Sequence, residues 1–276
     1  MSNVSVSANV PAVKRLKAII STESVQEQFK NALQEGASLF IASLIDIYGN
    51  DKYLQACDPQ AVIMEALKAA TLKLPINKSL GFAYIVPYKN KEGVQEPQFQ
   101  IGYKGYIQLA MRTGQYKYIN ADFVCEGELK GHDKLTGEMD LSGDAKSDKV
   151  IGYFAYIETI NGFRKPLYWS KDKVLAHAKR YSKSFGRDTS AWKTNFDEMA
   201  LKTMLRNLLS KYGVMSVEMM NAFSSDTGDE RSCEAKVEDE IKGNANRDVI
   251  DIKAKVAEDG GASALNEEPQ PAAPNF

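Results

Sequence analysis

Apolar and polar positions follow two different periods along the chain. From about residue 9 to 72 the apolar side chains recur at helical spacing. Leu39, Phe40, Leu44, Ile45 and Tyr48 mark one helical face, and Val62, Ala66, Leu67 and Ala70 another. Pro11 and Ser21-Thr22 mark the starts of two earlier helices, and Asp58-Pro59 predicts an N-cap with proline in the first turn. From about residue 80 the pattern becomes strand-like. Residues 82–86 predict a strand stopped by Pro87, 89–96 a hairpin loop around Gly93, and 99–101 the returning strand. Gly102-Tyr103-Lys104-Gly105 leads into a short helix over 106–112, ended by Gly114, and 116–124 is again strand-like. Residues 129–148, with three glycines and few apolar side chains, are expected to form a mobile loop. Residues 150–160 and 164–169, joined at Asn161-Gly162, predict a hairpin with a type I′ turn. Ser170 caps a helix expected to reach about 184, and another helix runs from about 190 to 212. The order predicts an α+β chain: an N-terminal helical lobe (1–75), an α+β core (76–223), and an acidic, largely disordered tail (224–276) in which aromatics vanish until Phe276.

Charge sharpens this division. The 276 residues carry a formal net charge of −1. Residues 224–276 hold 13 acidic and 6 basic side chains, net −7, which leaves 23 acidic and 29 basic, net +6, for 1–223. Within 161–212, 12 basic side chains face 4 acidic ones. A basic block ahead of an acidic tail points to nucleic acid. Cys57, Cys125 and Cys233 are odd in number and far apart, so a disulfide framework is not expected and a reducing cytoplasm fits. No stretch has the length of a membrane span, and the start of the chain lacks a secretory h-region.

Several chemistries find no motif. There is no Gly-Lys dipeptide, hence no Walker-type phosphate loop, and no Gly-x-Gly-x-x-Gly. The two histidines, His132 and His177, and the three cysteines give no zinc set, and His177 reads as an ordinary surface histidine. One constellation resembles an enzyme site: Asp122, Glu126 and Glu128, with Lys130, place three carboxylates near one strand, as in Mg²⁺-dependent nucleases. The competing reading, a solvated strand end entering an acidic loop, is preferred because so short a pattern recurs by chance.

The chemistry that is present interleaves cations with aromatic rings, the two ingredients of single-strand binding. One cluster is Tyr84, Tyr88 and Lys89. The next holds Gln100, Tyr103, Lys104, Arg112 and Lys117, and a third Lys179, Arg180 and Lys183. The last contains Lys193, Asn195, Phe196, Lys202 and Arg206. Lys179 and Lys183 are i, i+4 neighbours of like charge, a row that a polyanion would neutralise. Lys202 and Arg206 share that spacing, with Glu198 placed to pair with Lys202; phosphate contact and a salt-bridged solvent face fit them equally. Phe196 fits a base wedge or a core side chain. The glycines of Gly102-Tyr103-Lys104-Gly105 would let backbone approach a phosphate.

These residues carry a family resemblance. Leu80-Gly81-Phe82-Ala83-Tyr84-Ile85-Val86-Pro87-Tyr88 and Ile101-Gly102-Tyr103-Lys104-Gly105-Tyr106-Ile107-Gln108-Leu109-Ala110-Met111-Arg112-Thr113-Gly114 resemble the core signature of the RecT family of phage single-strand annealing proteins. Tyr181-Ser182-Lys183-Ser184 and the run from Trp192 to Thr203 resemble its later signature, with Leu201 where lysine is common. The resemblance spans about 20–220. It implies a small antiparallel sheet packed on a long helix, with DNA in a basic groove. It also implies annealing without ATP, with Mg²⁺ as a DNA counterion only, and no bond-making chemistry. Implied partners are single-stranded DNA and the annealed duplex, further copies of the chain in rings or filaments, and a 5′→3′ exonuclease. Host single-strand-binding protein would contact the C-terminal part, and the setting would be the bacterial cytoplasm.

Overall fold

Among the described residues five α-helices precede the first strand: α1 (Ala12–Ile20), α2 (Glu23–Leu33), α3 (Ala37–Asn50), α4 (Lys52–Gln55) and α5 (Pro59–Thr71). This computed structural model describes residues 11–226 apart from Lys91, Lys183 and Thr189. The acidic tail expected beyond them falls on 227–276, outside the described residues. The predicted cap of α5 forms, since Asp58 Oδ2 accepts from the Ala61 N–H at 3.1 Å with Pro59 in the first turn. Thr22 takes the N-cap position of α2 without capping it, because its hydroxyl donates back to the Ile19 carbonyl at 2.7 Å. Leu16, Phe29, Leu44, Val62 and Ala66 are fully buried where these helices meet.

The strands form separate small antiparallel sheets. β1 (Ala83–Lys89) pairs with β2 (Gln95–Ile101) as a two-stranded ribbon lying on α5, whose Glu65 Oε2 accepts from the Phe99 N–H at 2.8 Å. Pro87 was expected to stop the first strand, yet β1 runs through it. It faces Pro97, and in a ribbon with two free edges neither missing N–H is needed by a neighbour. α6 (Tyr103–Arg112) follows, starting three residues earlier than the pattern suggested. β3 (Tyr116–Cys125), β6 (Val150–Thr159) and β7 (Arg164–Ser170) make a three-stranded sheet in that order. The segment expected to be a mobile loop contains the short ribbon of β4 (Gly131–His132) and β5 (Met139–Asp140). The turn after β6 is not type I′. Only Gly162, at φ +86°, is left-handed, and the Thr159 N–H donates to the Phe163 carbonyl at 2.9 Å, as in a three-residue hairpin loop closed by a left-handed glycine.

Tyr153, Ala155 and Ile157 project from one face of the sheet into the core. α7 (Lys171–Tyr181) packs on that sheet, capped by Ser170 as predicted but ending three residues short of 184. The long helix expected over 190–212 breaks at Asn195 into α8 (Ala191–Thr194) and α9 (Phe196–Tyr212). α9 packs on the sheet and on α6, and every residue from Ala200 to Leu205 is buried, so it is a central helix rather than a half-solvated one. Met204, Leu205, Leu208 and Leu209 are fully buried, at about 1.5–3 kcal/mol each relative to exposure. α10 (Val217–Ser225), capped by Ser216, continues across the boundary drawn at 223/224. It buries Met219 and Ala222, stacks Phe223 on Tyr106 at 5.4 Å, and delivers Asp226 into the interior. Among the described residues no helix is long and apolar enough to cross a membrane.

Candidate nucleic-acid interface

A cleft of about 160 Å³ opens between the β1–β2 ribbon, the turn into α6, and the α8–α9 junction. Tyr84, Val86 and Gln100 line it from the ribbon, and Gly102 and Tyr103 from the turn. Asn195, Glu198, Met199 and Lys202 line it from the helices. It therefore joins residues 84–103 to residues 191–202, which lie nearly ninety residues further along the chain. The Gly102 and Gly105 positions explain how. A Cβ on Gly102 would lie 2.1 Å from the Gly81 carbonyl oxygen, and one on Gly105 2.2 Å from that of Phe82. The close approach these glycines permit is to the protein's own backbone at the entry to β1 rather than to a phosphate, and it seats α6 against the ribbon.

Beneath the cleft lies a buried charge network. Asp226, at the end of α10, receives Lys202 Nζ at 3.1 Å, Arg206 Nη1 at 3.3 Å, the Tyr106 hydroxyl at 2.7 Å and the Ile101 N–H at 3.3 Å. Burial pushes this carboxyl up, but the attraction of Lys202 and Arg206 outweighs it and holds the group below the usual carboxylate range. Lys202 thus pairs with Asp226 rather than with Glu198 one turn earlier. Glu198 stays exposed at the cleft, where its charge adds to burial in raising the Tyr84 hydroxyl.

The cations whose partners the structure shows fall into three groups by what holds them. Carboxylates hold the first. Lys202 and Arg206 meet Asp226, Lys193 meets Asp188, and Lys117 meets Glu158 at 3.0 Å. Glu158 also takes Arg164 at 3.2 Å on the sheet face away from α9, and the hydrogen bond from Lys117 to Glu158 is the main reason the Lys117 ammonium is raised above its ordinary range. Backbone carbonyls hold the second group, which is Arg112 alone. Its guanidinium donates to Leu72 O at 2.7 Å and Lys73 O at 2.9 Å, closing the C-terminal end of α5. Aromatic rings hold the third. Lys104 Nζ lies 5.8 Å from the Tyr103 centroid, Arg180 5.3 Å from Tyr181, and Lys171 5.8 Å from Phe196. A carboxylate cancels a cation's charge. A ring orients it and leaves the charge available.

The other predicted residues take the following places. Gln100 is buried at the cleft wall and donates to the Tyr88 hydroxyl at 2.6 Å. Asn195 is exposed at the helix break, 3.4 Å from Glu198 Oε2. Phe196 belongs to an aromatic cluster with Trp192 at 5.5 Å and Tyr153 at 6.1 Å, at the edge of the core. Lys179 and Arg180 are exposed on α7 and do not line the cleft. Lys183 lies outside the described residues. His177 is half-buried between Trp169 at 5.2 Å and Tyr181 at 4.5 Å rather than on the open surface.

The three carboxylates considered for metal binding do not converge. β3 ends at Cys125, so Glu126 and Glu128 do not share a strand face. Asp122 accepts from the Phe123 N–H at 2.8 Å, Glu126 from the Ser147 hydroxyl at 3.1 Å, and Glu128 from the Cys125 N–H at 2.5 Å. Among the described residues no group of three potential ligands can hold a metal ion. The sequence reading missed Asp226, which it assigned to the tail. The signal was the apolar spacing of Met219, Ala222 and Phe223 just before it.

Comparison with known proteins adds a family to this geometry. The family model described as RecT family matches residues 38–243, more than half of the chain. The uncharacterized protein YqaK of Bacillus subtilis (strain 168) is 49% identical over 219 residues, covering 78% of this chain and 74% of that protein. Protein RecT of Escherichia coli (strain K12) is 29% identical over 180 residues, covering 62% of this chain and 64% of that protein, a little under two thirds of its length.

Proposed function

The chain belongs to the RecT family, a family of single-strand annealing recombination proteins, and on that premise we propose that it holds single-stranded DNA along the cleft and pairs it with a complementary strand. The observation that carries this reading is a pair of ring-held cations next to residues that line the cleft. Lys104 sits over the lining Tyr103, and Lys171 sits over Phe196, the sequence neighbour of the lining Asn195. These two cations hold phosphates, and Lys179 and Arg180 extend the path along α7. Gln100 and Asn195 offer neutral polar contacts, and the rings of Tyr84 and Tyr103 meet bases. Phosphate contacts carry no sequence information, so binding is sequence-neutral and base pairing does the selecting. Neutralised phosphates lower strand repulsion, and an aligned template removes part of the entropic cost of pairing.

Annealing of this kind makes and breaks no covalent bond, so the proposal needs neither ATP nor a metal beyond Mg²⁺ as a DNA counterion. Copies of the chain assemble on the strand. The exposed Leu39, Tyr53 and Met64 of the N-terminal helices supply apolar surface for that assembly. A 5′→3′ exonuclease supplies the single strand, the residues beyond 224 meet a host single-strand-binding protein, and the setting is the bacterial cytoplasm.

The test is fluorescence anisotropy of a labelled oligo-dT strand in EDTA across a salt series, for the protein and for Lys104→Glu/Lys171→Glu. Affinity is expected to fall at least tenfold, with the slope of log affinity against log salt reduced by about 1.4, near 0.7 for each lost contact. Unchanged affinity and slope would remove the cleft from the binding path. Shortening of the strand on adding Mg²⁺ would favour a nuclease instead.

A further inference from the structure

A second ring-held basic patch lies away from the cleft, at the β7 edge of the three-stranded sheet. Four lysines contribute, from four separate elements: Lys134 from the turn between β4 and β5, Lys165 from β7, Lys173 from α7, and Lys211 from the last turn of α9. Lys173 Nζ lies 4.6 Å from the Trp169 centroid, and Lys165 Nζ lies 5.3 Å from the Tyr212 centroid. The Lys165 ammonium also donates to the Thr136 carbonyl at 2.8 Å, which ties the β4–β5 turn to the patch. Gly137 permits this approach, since a Cβ there would sit 3.4 Å from Lys165 Nζ and 3.1 Å from the Pro166 carbonyl oxygen.

Burial lowers the Lys173 ammonium below its ordinary range, and the like charges of Lys211 and Lys134 lower it further. Lys202 and Arg206, Lys117 and Arg164, and Lys193 by contrast meet Asp226, Glu158 and Asp188. Here rings orient two of the ammoniums without cancelling them. Self-repelling lysines held in place are stabilised when a polyanion arrives, and each keeps N–H donors for it.

We propose that this patch is a second DNA-backbone site, which receives the phosphates of the incoming complementary strand while the cleft holds the first. The proposal rests on the reading of the cleft as the first-strand site. Two observations on α7 and α9 support it. The first turn of α7 sends Lys171 to Phe196 at the start of α9, while Lys173, over Trp169, feels the charge of Lys211 at the other end of α9. Phe196 and Lys211 are fifteen residues apart on α9, a rise of about 22 Å at ~1.5 Å per residue. The two sites are thus separate positions along one rigid helix, far enough apart for two backbones and near enough to act on one pairing event.

The experiment compares the full chain with Lys173→Glu/Lys211→Glu and with the charge-keeping Lys173→Arg/Lys211→Arg. Two quantities are read in each case: affinity for a single labelled strand, and the rate at which a preformed protein–strand complex captures its complement. The reversed variant is expected to bind the first strand within about twofold of the parent and to anneal at least tenfold more slowly, with the arginine variant near the parent rate. An annealing rate within twofold of the parent in the reversed variant would overturn the second site while leaving the cleft reading intact. Equal losses of first-strand affinity and annealing rate would also overturn it, because the patch would then belong to the first-strand path. Failure of the unmodified protein to bind or anneal would overturn the cleft reading and this proposal with it.

Discussion

Replacing Asp226 with asparagine removes a carboxylate that meets both Lys202 and Arg206. The buried oxygens of Asp226 take Lys202 Nζ at 3.1 Å, Arg206 Nη1 at 3.3 Å and the Tyr106 hydroxyl at 2.7 Å. Its side chain is fully buried and those of Lys202 and Arg206 are 10% and 15% exposed, so water cannot replace the lost charge. Breaking a buried ion pair from one side costs about 3–5 kcal/mol, because here it leaves the buried Lys202 ammonium without its carboxylate. At about 2–4 °C per kcal/mol for a domain of this size, the melting temperature falls by about 6–20 °C. The pH dependence has a defined sign. A carboxyl held below its ordinary range stabilises the fold above its unfolded value and loses that contribution as pH falls through its folded value. Parent and variant therefore differ fully above about pH 5, and the gap closes below about pH 4. Thermal unfolding followed by circular dichroism at several pH values measures both effects. A loss below about 1 kcal/mol at pH 7 would refute the view that Asp226 locks α10 to α9.

Two further substitutions separate structural residues from binding ones. Arg112→Ala removes two hydrogen bonds to the end of α5 and should cost about 1–3 kcal/mol in urea unfolding while leaving the salt slope of DNA binding unchanged; a reduced slope would return Arg112 to the phosphate-contacting set. Gly105→Ala places a methyl group 2.2 Å from the Phe82 carbonyl and 2.7 Å from Ile101 Cγ2, so it should destabilise the fold by about 3 kcal/mol or more. A stable Gly105→Ala protein with lost DNA affinity would instead restore the glycine as a phosphate-approach residue.

The parts of the fold set by short-range chemistry were legible from the chain. The Asp58 and Ser170 caps depend on groups within three residues, and the alternation of Tyr153, Ala155 and Ile157 reports which sheet face is buried. What escaped reading depends on partners distant in sequence. Lys202 has an adequate local acid in Glu198, and nothing in the spacing reveals that Asp226 replaces it once α10 folds back. Composition around 224–226 resembles the acidic tail and hides the last turn of α10. Pro87 breaks a strand only where a neighbour needs its N–H, and the two-stranded ribbon supplies no such neighbour. In the candidate site, Gln100, Tyr103 and Asn195 line one cleft, whereas Arg112 and Lys117 face other partners. A list of cations cannot distinguish one held by a ring from one cancelled by a carboxylate. That difference is a tertiary property.

The central claim is that this chain anneals single-stranded DNA without nucleotide or metal. Two complementary oligonucleotides carrying a donor and an acceptor dye, mixed with the protein in EDTA without ATP, report pairing as energy transfer. The account predicts pairing faster than the protein-free rate, with loss of that acceleration in Lys104→Glu/Lys171→Glu. Pairing at or below the protein-free rate would contradict it and leave a protein that coats single strands without joining them.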